Sequence, residues 1–527
     1  MSSPTRDAVV IGAGPNGLVA ANHLADAGWD VLLLEAQDVV GGAVRSDDSV
    51  APGFVHDMFS SFYPLSAMSP TVTGLHLEDH GLTWVHAPAV LGNPDLDGNW
   101  GILHRDVDVT AAGLDRLHPG DGDVWRQLYE GWQRIGPAVV ESLMSPFPPV
   151  RGGLHALTKL KSVGGLSFVR MLLEPAYNLV GTRFGGDLAG LLLAGNSAHA
   201  DIPPDATGSG VFGWLLAMLG QDVGFPVPQG GAGELTAAMA RRFESRGGEI
   251  RCGTRVTEVV VENRRAVAVR TANDERIDVG RAVIADVAAP LLYGGLVPWE
   301  QLPARTRDKM RDFDWDPGTV KVDWALDGAI PWNSTPEYAP GTVHLVDSLA
   351  DLMSWSGQLG SRAVPANPFC LLGQMTTSDP TRSPAGTESV WAYTHVPQLV
   401  RSDAGGEGIR GVWDSSDLER MADRMQRRVE TFAPGFADRI VARRILGPHE
   451  METNDANLVG GAINGGTSAL HQQLVFRPVA GLGRAETPVH GLFLGSASAH
   501  PGGGVHGACG MNAARAALAH DRIPFRR

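Results

Sequence analysis

Three glycine-rich stretches and one acidic residue carry the clearest chemistry in this chain. Gly12-Ala13-Gly14-Pro15-Asn16-Gly17 is a G-x-G-x-x-G pattern; it follows the apolar run 8–11 and opens the Ala- and Leu-rich stretch 15–27. Gly12 permits a tight turn, Gly14 lets a pyrophosphate approach the backbone, and Gly17 lets helix and strand pack closely. Phosphates would then rest on N–H groups at the helix N-terminus. Glu35 closes the next apolar run, Val31–Leu34, where a carboxylate can accept hydrogen bonds from an adenosine ribose. Together these residues spell dinucleotide binding.

A second doublet, Gly41-Gly42, follows at once and leads into Ala43-Val44-Arg45. A simple nicotinamide-binding domain has no need of it, whereas a chain that passes the pyrophosphate a second time needs small residues there. Near the other end, Gly495-Ser496-Ala497-Ser498-Ala499-His500-Pro501-Gly502-Gly503-Gly504-Val505-His506-Gly507 leads into the Ala-rich stretch 508–519. A strand, a glycine loop and a helix N-terminus make an anion site. Such a site suits the negative charge that an isoalloxazine gains near N1 and O2 on reduction.

These loops need elements to hold them. Runs 8–11 and Val31–Leu34 read as buried parallel strands around a helix over 15–27, with Gly28 at its C-terminal stop. Short β-rich runs between 256 and 285, broken at Asn263-Arg264 and Asn273-Asp274, read as a meander ending in another core strand. Residues 319–327 alternate: Val320, Val322, Trp324 and Leu326 on one face, Lys321, Asp323 and Asp327 on the other. Runs 369–374 and 390–395 extend the same sheet, expected to be half exposed, and 417–432 reads as an amphipathic helix capped by Asp417. Leu492–Leu494 is a last strand. Pieces of nucleotide-binding architecture at the start, middle and end imply one domain in three segments, 1–100, 229–300 and 481–527. A second domain, 101–228 and 301–480, is inserted between them.

Composition narrows the function. The chain has 527 residues with 43% hydrophobic content, enough for several core-bearing units. A formal net charge of −15 argues against nucleic-acid binding, which needs a basic face. Cys252, Cys370 and Cys509 form no CxxC or zinc spacing, so disulfide-reductase chemistry and a metal site are excluded and a reducing compartment is expected. There is no signal peptide, no apolar run long enough to span a membrane, and no sorting signal in 523–527, which reads as a cytoplasmic protein. No metalloprotease, serine-hydrolase or paired-carboxylate motif stands out.

The combination resembles the FAD-dependent superfamily of amine oxidases and carotenoid desaturases, and most closely its phytoene-dehydrogenase-like branch. The fingerprint with Gly41-Gly42 carries the resemblance, with Pro228-Gln229-Gly230-Gly231-Ala232-Gly233-Glu234-Leu235, Gly248 and Val256. So do Phe476-Arg477-Pro478, Thr487-Pro488, Gly491 through Gly495, and His500-Pro501-Gly502-Gly503-Gly504. The chain departs from several relatives at Ala43-Val44-Arg45 and at Ser496-Ala497-Ser498-Ala499. The resemblance implies an α/β fold with a Rossmann-like FAD domain in three segments and an inserted α+β substrate domain. It implies FAD held by Gly12, Gly14, Pro15, Asn16, Gly17, Glu35, Gly41, Gly42, Arg45, Val256, Gly495, Ser496, Gly503, Gly504 and Val505. Val256 would meet the adenine through its backbone.

The expected activity is a phytoene-desaturase-like oxidation of a lipophilic, isoprenoid or carotenoid-like substrate, with hydride passing to flavin N5. Oxygen or a quinone would reoxidise the flavin. Flavin amine oxidation and a vestigial flavin-binding partner protein are the alternatives. Candidate catalytic residues are His500 and His506, beside the glycine loop, and Lys321, set against a solvent-facing reading of the same lysine. Candidate cavity residues are Leu192, Trp214 and Tyr393. Residues 151–219 are strongly apolar and contain Lys159 and Lys161, two of the four lysines in the chain. They read as a helical cap over the substrate, or as a basic amphipathic surface in peripheral contact with a bilayer.

Overall fold

The computed structural model describes residues 5–522, so the 523–527 stretch lies outside the described residues. Its first layer is a parallel sheet in the order Leu492–Leu494, Arg276–Ala285, Arg6–Ile11, Val31–Leu34, Glu249–Arg251. Residues 8–11 and Val31–Leu34 are buried throughout, as parallel strands covered on both faces require. The strands come from the start, middle and end of the chain, which is the Rossmann-like, three-segment α/β architecture expected. The helix Pro15–Asp26 follows the glycine turn, and Gly28, at φ 82°, donates its N–H to Ala25 O and ends it. The strands Val256–Glu262 and Arg265–Thr271 join through Asn263 and Arg264, both at positive φ, the geometry a two-residue hairpin demands.

The second sheet runs Ile440–Leu446, Gly318–Leu326, Glu388–Val396, Cys370–Gln374, Pro340–Leu345, Ala89–Pro94, Trp100–Leu103. The last two strands pair here, so the chain has left the first sheet before residue 89, earlier than the boundary expected at 100. The sheet is covered on both faces and is not half exposed. Val320, Val322, Trp324 and Leu326 pack beneath the helix Ser415–Phe432, while Lys321 and Asp323 are also buried, against the short strand His56–Asp57. The helix begins two residues before Asp417. Asp414 is its N-cap, and buried Asp417 instead accepts the N–H groups of Arg410, Val412 and Trp413.

Helices between 150 and 223 cap the inner face of this sheet. Leu191–193, Trp214 and Met218 form their core, but Leu154, Leu157, Leu166 and Leu173 point outward. Among the described residues no helix is long and apolar enough to cross a membrane, and no group of His, Cys, Asp and Glu could hold a metal ion.

Candidate cofactor site and substrate chamber

The glycine turn is built by close approach. A side chain on Gly17 would collide with Gly12 O. Gly42, at φ 53°, passes so near the turn that a Cβ would sit 3.1 Å from Gly14 Cα and 3.3 Å from Asp455 Oδ2. Only glycine tolerates both that φ and that proximity. Glu35 is buried at the end of its strand; Oε2 accepts the Ala13 N–H and Oε1 the Gln37 N–H, each at 2.8 Å. Arg45 is held by Gly42 O at 2.9 Å and Asn454 O at 2.8 Å, over the Phe59 ring. Val256 opens its strand opposite Thr271.

Two acids that no motif announced, Asp286 and Asp455, stand beside this turn. Asp286 Oδ2 accepts the Gly17 N–H at 2.9 Å. Burial pushes the Asp286 carboxyl up to about 8, against the Gly17 hydrogen bond and with the help of Asp455 and Glu35. Burial also raises Asp455, with Glu35 adding to the effect. A neutral Asp286 spares the loop one negative charge where phosphates would lie. Buried Asn16 Oδ1 and both amide atoms of Asn512 have no partner among the described residues. Their helices cross so closely that Gly510 meets Asn16 O. Unmet buried amides at paired helix starts call for a polar ligand, and FAD fits this donor and acceptor set.

The C-terminal loop closes the opposite side. Gly495 packs against Ile284 and Ala513, and Ser496 is buried. Val505 adopts φ 52°, a left-handed conformation that a β-branched residue takes only where its surroundings enforce it; Ser66 Oγ donates to its carbonyl. Arg477 staples the loop, donating to Asn464 O at 2.7 Å, Thr467 O at 3.0 Å and Ala497 O at 2.7 Å.

A closed circuit of contacts then runs outward from the loop. A Cβ on Gly504 would meet Leu65 at 2.6 Å. Phe62, three residues before Leu65, lies 6.0 Å from Trp391, which stacks on Tyr393 at 5.9 Å and 19°. Tyr393 meets His395 edge-on at 5.5 Å, and His395 Nε2 lies 2.5 Å from Asp201 Oδ1. Asp201 Oδ2 accepts from Asn464 Nδ2 at 2.6 Å, and Asn464 abuts Gly503. Phe62, Leu65, Tyr393, Asn464 and Gly503 are only partly buried, and Gly504 is exposed. Desolvation nonetheless drives the Tyr393 phenol well above its ordinary range, with Asp201 adding to the shift. These residues border the accessible surface beside the glycine loop, and we take the space they border as the candidate substrate chamber. The open surface cleft lined by Glu174, Tyr177, Asp187 and Leu349 shares no residue with it.

Residues 10–78 match the NAD(P)-binding Rossmann-like domain, and residues 177–384 match the Flavin containing amine oxidoreductase family. The chain is 28% identical to mouse (Mus musculus) pyridine nucleotide-disulfide oxidoreductase domain-containing protein 2, over 97% of this chain and 93% of that one. It is 24% identical to the phytoene desaturase (neurosporene-forming) of Cereibacter sphaeroides, over 100% and 97%. The matched flavin-containing family and these relatives lie within the superfamily of FAD-dependent amine oxidases and carotenoid desaturases. The solved structure of putrescine oxidase bound to putrescine shares the fold, with a TM-score of 0.60 at 16% identity over 99% of this chain and 100% of that one. The protein is an FAD-dependent oxidoreductase, and its three cysteines are free.

Within this flavoprotein the residues that sequence patterns offered for catalysis find other work. His506 Nδ1 accepts the Ala508 N–H at 3.0 Å, capping the last helix, and burial lowers its pKa to about 4, partly offset by the Gly502 and Gly503 backbone. His500 faces Ser145 O at 3.2 Å and Phe147, and burial likewise takes it to about 4. Both are neutral struts of the loop near neutral pH. Lys321 is not solvent-facing: its amine reaches Asp57 O at 2.9 Å and pairs with Asp323, and burial lowers its pKa. Trp214 is boxed edge-on by Trp132 and Phe168 at 5.4 and 5.3 Å, and Leu192 is wholly enclosed, so both pack the cap rather than the chamber. Tyr393 alone of the three lies in the chamber wall. Asp201, His395 and Asn464 lack any local motif, whereas Arg477 lies in the Phe476-Arg477-Pro478 run that carries the resemblance.

Proposed function

We propose that this flavoprotein dehydrogenates a lipophilic substrate of isoprenoid or carotenoid type, with FAD held by the fifteen residues assigned to it from the sequence. The apolar chamber wall of Phe62, Leu65, Trp391 and Tyr393 carries the reading. Bound flavin supplies two-electron oxidation of a C–H bond. The protein's part is to exclude water and orient the chain of the substrate, whose affinity grows with buried area at about 25 cal/mol per Å². The similarity to a phytoene desaturase supports the same substrate class. We assign the cofactor domain to the first-sheet segments and the substrate domain to the second sheet and its cap.

The outward Leu157 and Leu166, 65% and 82% exposed, lie beside Lys159 and Lys161 on a chain of net charge −15. This supports peripheral contact with an anionic lipid surface, from which such a substrate would enter. Co-sedimentation with phosphatidylserine vesicles, lost in Leu157→Asp/Leu166→Asp, tests that contact.

A second reading, amine oxidation, is favoured by the stacked Trp391 and Tyr393 pair, which offers an aromatic face to a substrate. Anaerobic mixing with polyenes, isoprenoid extracts and amines decides between them. Bleaching of the flavin by polyenes supports the proposal; bleaching by hydrophilic amines alone rejects it. Bleaching by nothing promotes a partner-binding role. Reoxidation by oxygen or by a quinone then identifies the acceptor.

A further inference from the structure

Asn464 stands between the charged corner of the chamber and the glycine loop, and the two ends of its amide are chemically distinct. Nδ2 lies 2.6 Å from Asp201 Oδ2. A carboxylate only accepts hydrogen bonds, so the NH2 end faces Asp201 and the carbonyl oxygen faces away from it. That oxygen is directed at Gly503, where any Cβ would collide with it. No hydrogen bond reaches Asn464 Oδ1 among the described residues, while the rest of the residue is pinned. Its N–H donates to Asp316 Oδ2 at 3.0 Å, its carbonyl accepts from Arg477 at 2.7 Å, and Nδ2 also lies 3.4 Å from Ser468 Oγ.

Asp201 is equally constrained. It sits at φ 59° just after the helix Asp187–His199, with its carboxylate buried between Asn464 and His395. Burial works against charge on His395, but Asp201 and Asp316 outweigh it and hold the imidazole above its ordinary range. His395 Nδ1 faces Thr319 Oγ1 at 3.4 Å, so both ring nitrogens are turned to the protein rather than to the chamber. A strained backbone, a buried ion pair and a pinned loop converge on one half-exposed amide.

We propose that Asn464 contacts the ring system of the bound flavin, presenting its carbonyl oxygen as a hydrogen-bond acceptor, with Asp201 and His395 as positioning residues that fix the amide in that orientation. This rests on the assignment of the glycine loop to the flavin. An acceptor beside the ring favours the form of the flavin that carries more N–H groups, which is the reduced one.

The test uses FAD-loaded protein and reads FAD content, visible spectrum and midpoint potential. Asn464→Ala retains FAD and lowers the reduction equilibrium about tenfold, close to 30 mV for a two-electron couple. Asp201→Asn shifts the potential in the same direction, and Asp201→Asn/Asn464→Ala shifts it no further than Asn464→Ala alone. His395→Gln gives a smaller shift of the same sign, and stands in for Asp201→Asn should that variant not fold. Asn464→Ser, which keeps more of the packing, serves likewise for Asn464→Ala. A loaded Asn464 variant with unchanged spectrum and potential overturns the proposal, as do additive shifts at 201 and 464. Wild-type protein that takes up no FAD rejects the cofactor assignment itself, and this inference with it.

Discussion

The carboxyl of Asp286 accepts the backbone N–H of Gly17 at 2.9 Å, from 269 residues away in the chain. The third glycine of the fingerprint is thereby tied to the strand beside it, and the tie is made by a group that burial drives toward its neutral form. The acid that holds the turn therefore also governs how much charge the turn presents.

Asp286→Asn tests that charge. The carboxyl titrates at about 8 in the folded protein, against 3.8 without the fold. A raised carboxyl pKa contributes stability that is full below pH 3.8 and is lost as pH rises through 8. Denaturation of apo-protein across this window should show wild type weakening with pH and Asp286→Asn doing so less steeply. Equal slopes would remove the neutral-acid account.

Gly14→Val should give folded, colourless protein. A Cβ there lies 2.8 Å from Asp286 Oδ2 and stands where a pyrophosphate meets the backbone. Absorbance per mole of purified protein measures it, and a stoichiometrically yellow variant would contradict the cradle.

The cofactor cradle was legible because its constraints are local: a tight turn, a helix start and a strand-end acid recur within thirty-odd residues. The chamber was not, since Phe62, Asp201, Tyr393, His395 and Asn464 meet only after two sheets and a cap have assembled. Lys321 shows the boundary between the two. Its strand face followed from alternation, but whether that face met water depended on His56–Asp57, which no pattern near 321 discloses. The cap expected at Asp417 fails for a related reason, since either of two aspartates could start the helix and only the fold selects Asp414. An acid closing the core run 282–285 was the available signal for Asp286.

Trp214→Ala should cost about 3–5 kcal/mol of stability by emptying a packed site, without altering the spectrum of the FAD that remains bound. Its indole N–H, donated to Leu128 O at 3.3 Å, and its edge contacts with Trp132 and Phe168 mark it as cap core. Denaturant midpoints check the size. A specific loss of turnover with unchanged stability would return Trp214 to the chamber.

His506→Ala should destabilise the start of the last helix by about 1 kcal/mol, as losing a cap does, and should speed FAD release. His506→Asn, which restores an acceptor, should recover much of both. Because its pKa of about 4 keeps His506 neutral across the working range, rate profiles between pH 6 and 8 should keep their shape in either variant. An inflection that vanishes with His506 would make it an acid–base group after all.

The central strand Arg6–Ile11 finds one neighbour within thirty residues, Val31–Leu34, but the other, Arg276–Ala285, about 270 residues later, and that neighbour pairs in turn with Leu492–Leu494. During synthesis this β-α-β unit therefore waits with an apolar strand edge unpaired while about 240 further residues are made. Cofactor capture waits as well, since the glycine loop that closes the cradle follows the fingerprint by about 480 residues. Such long-range closure makes folding slow and aggregation a competing fate, so yield in recombinant expression should respond to chaperone supply and to riboflavin more than to inducer strength.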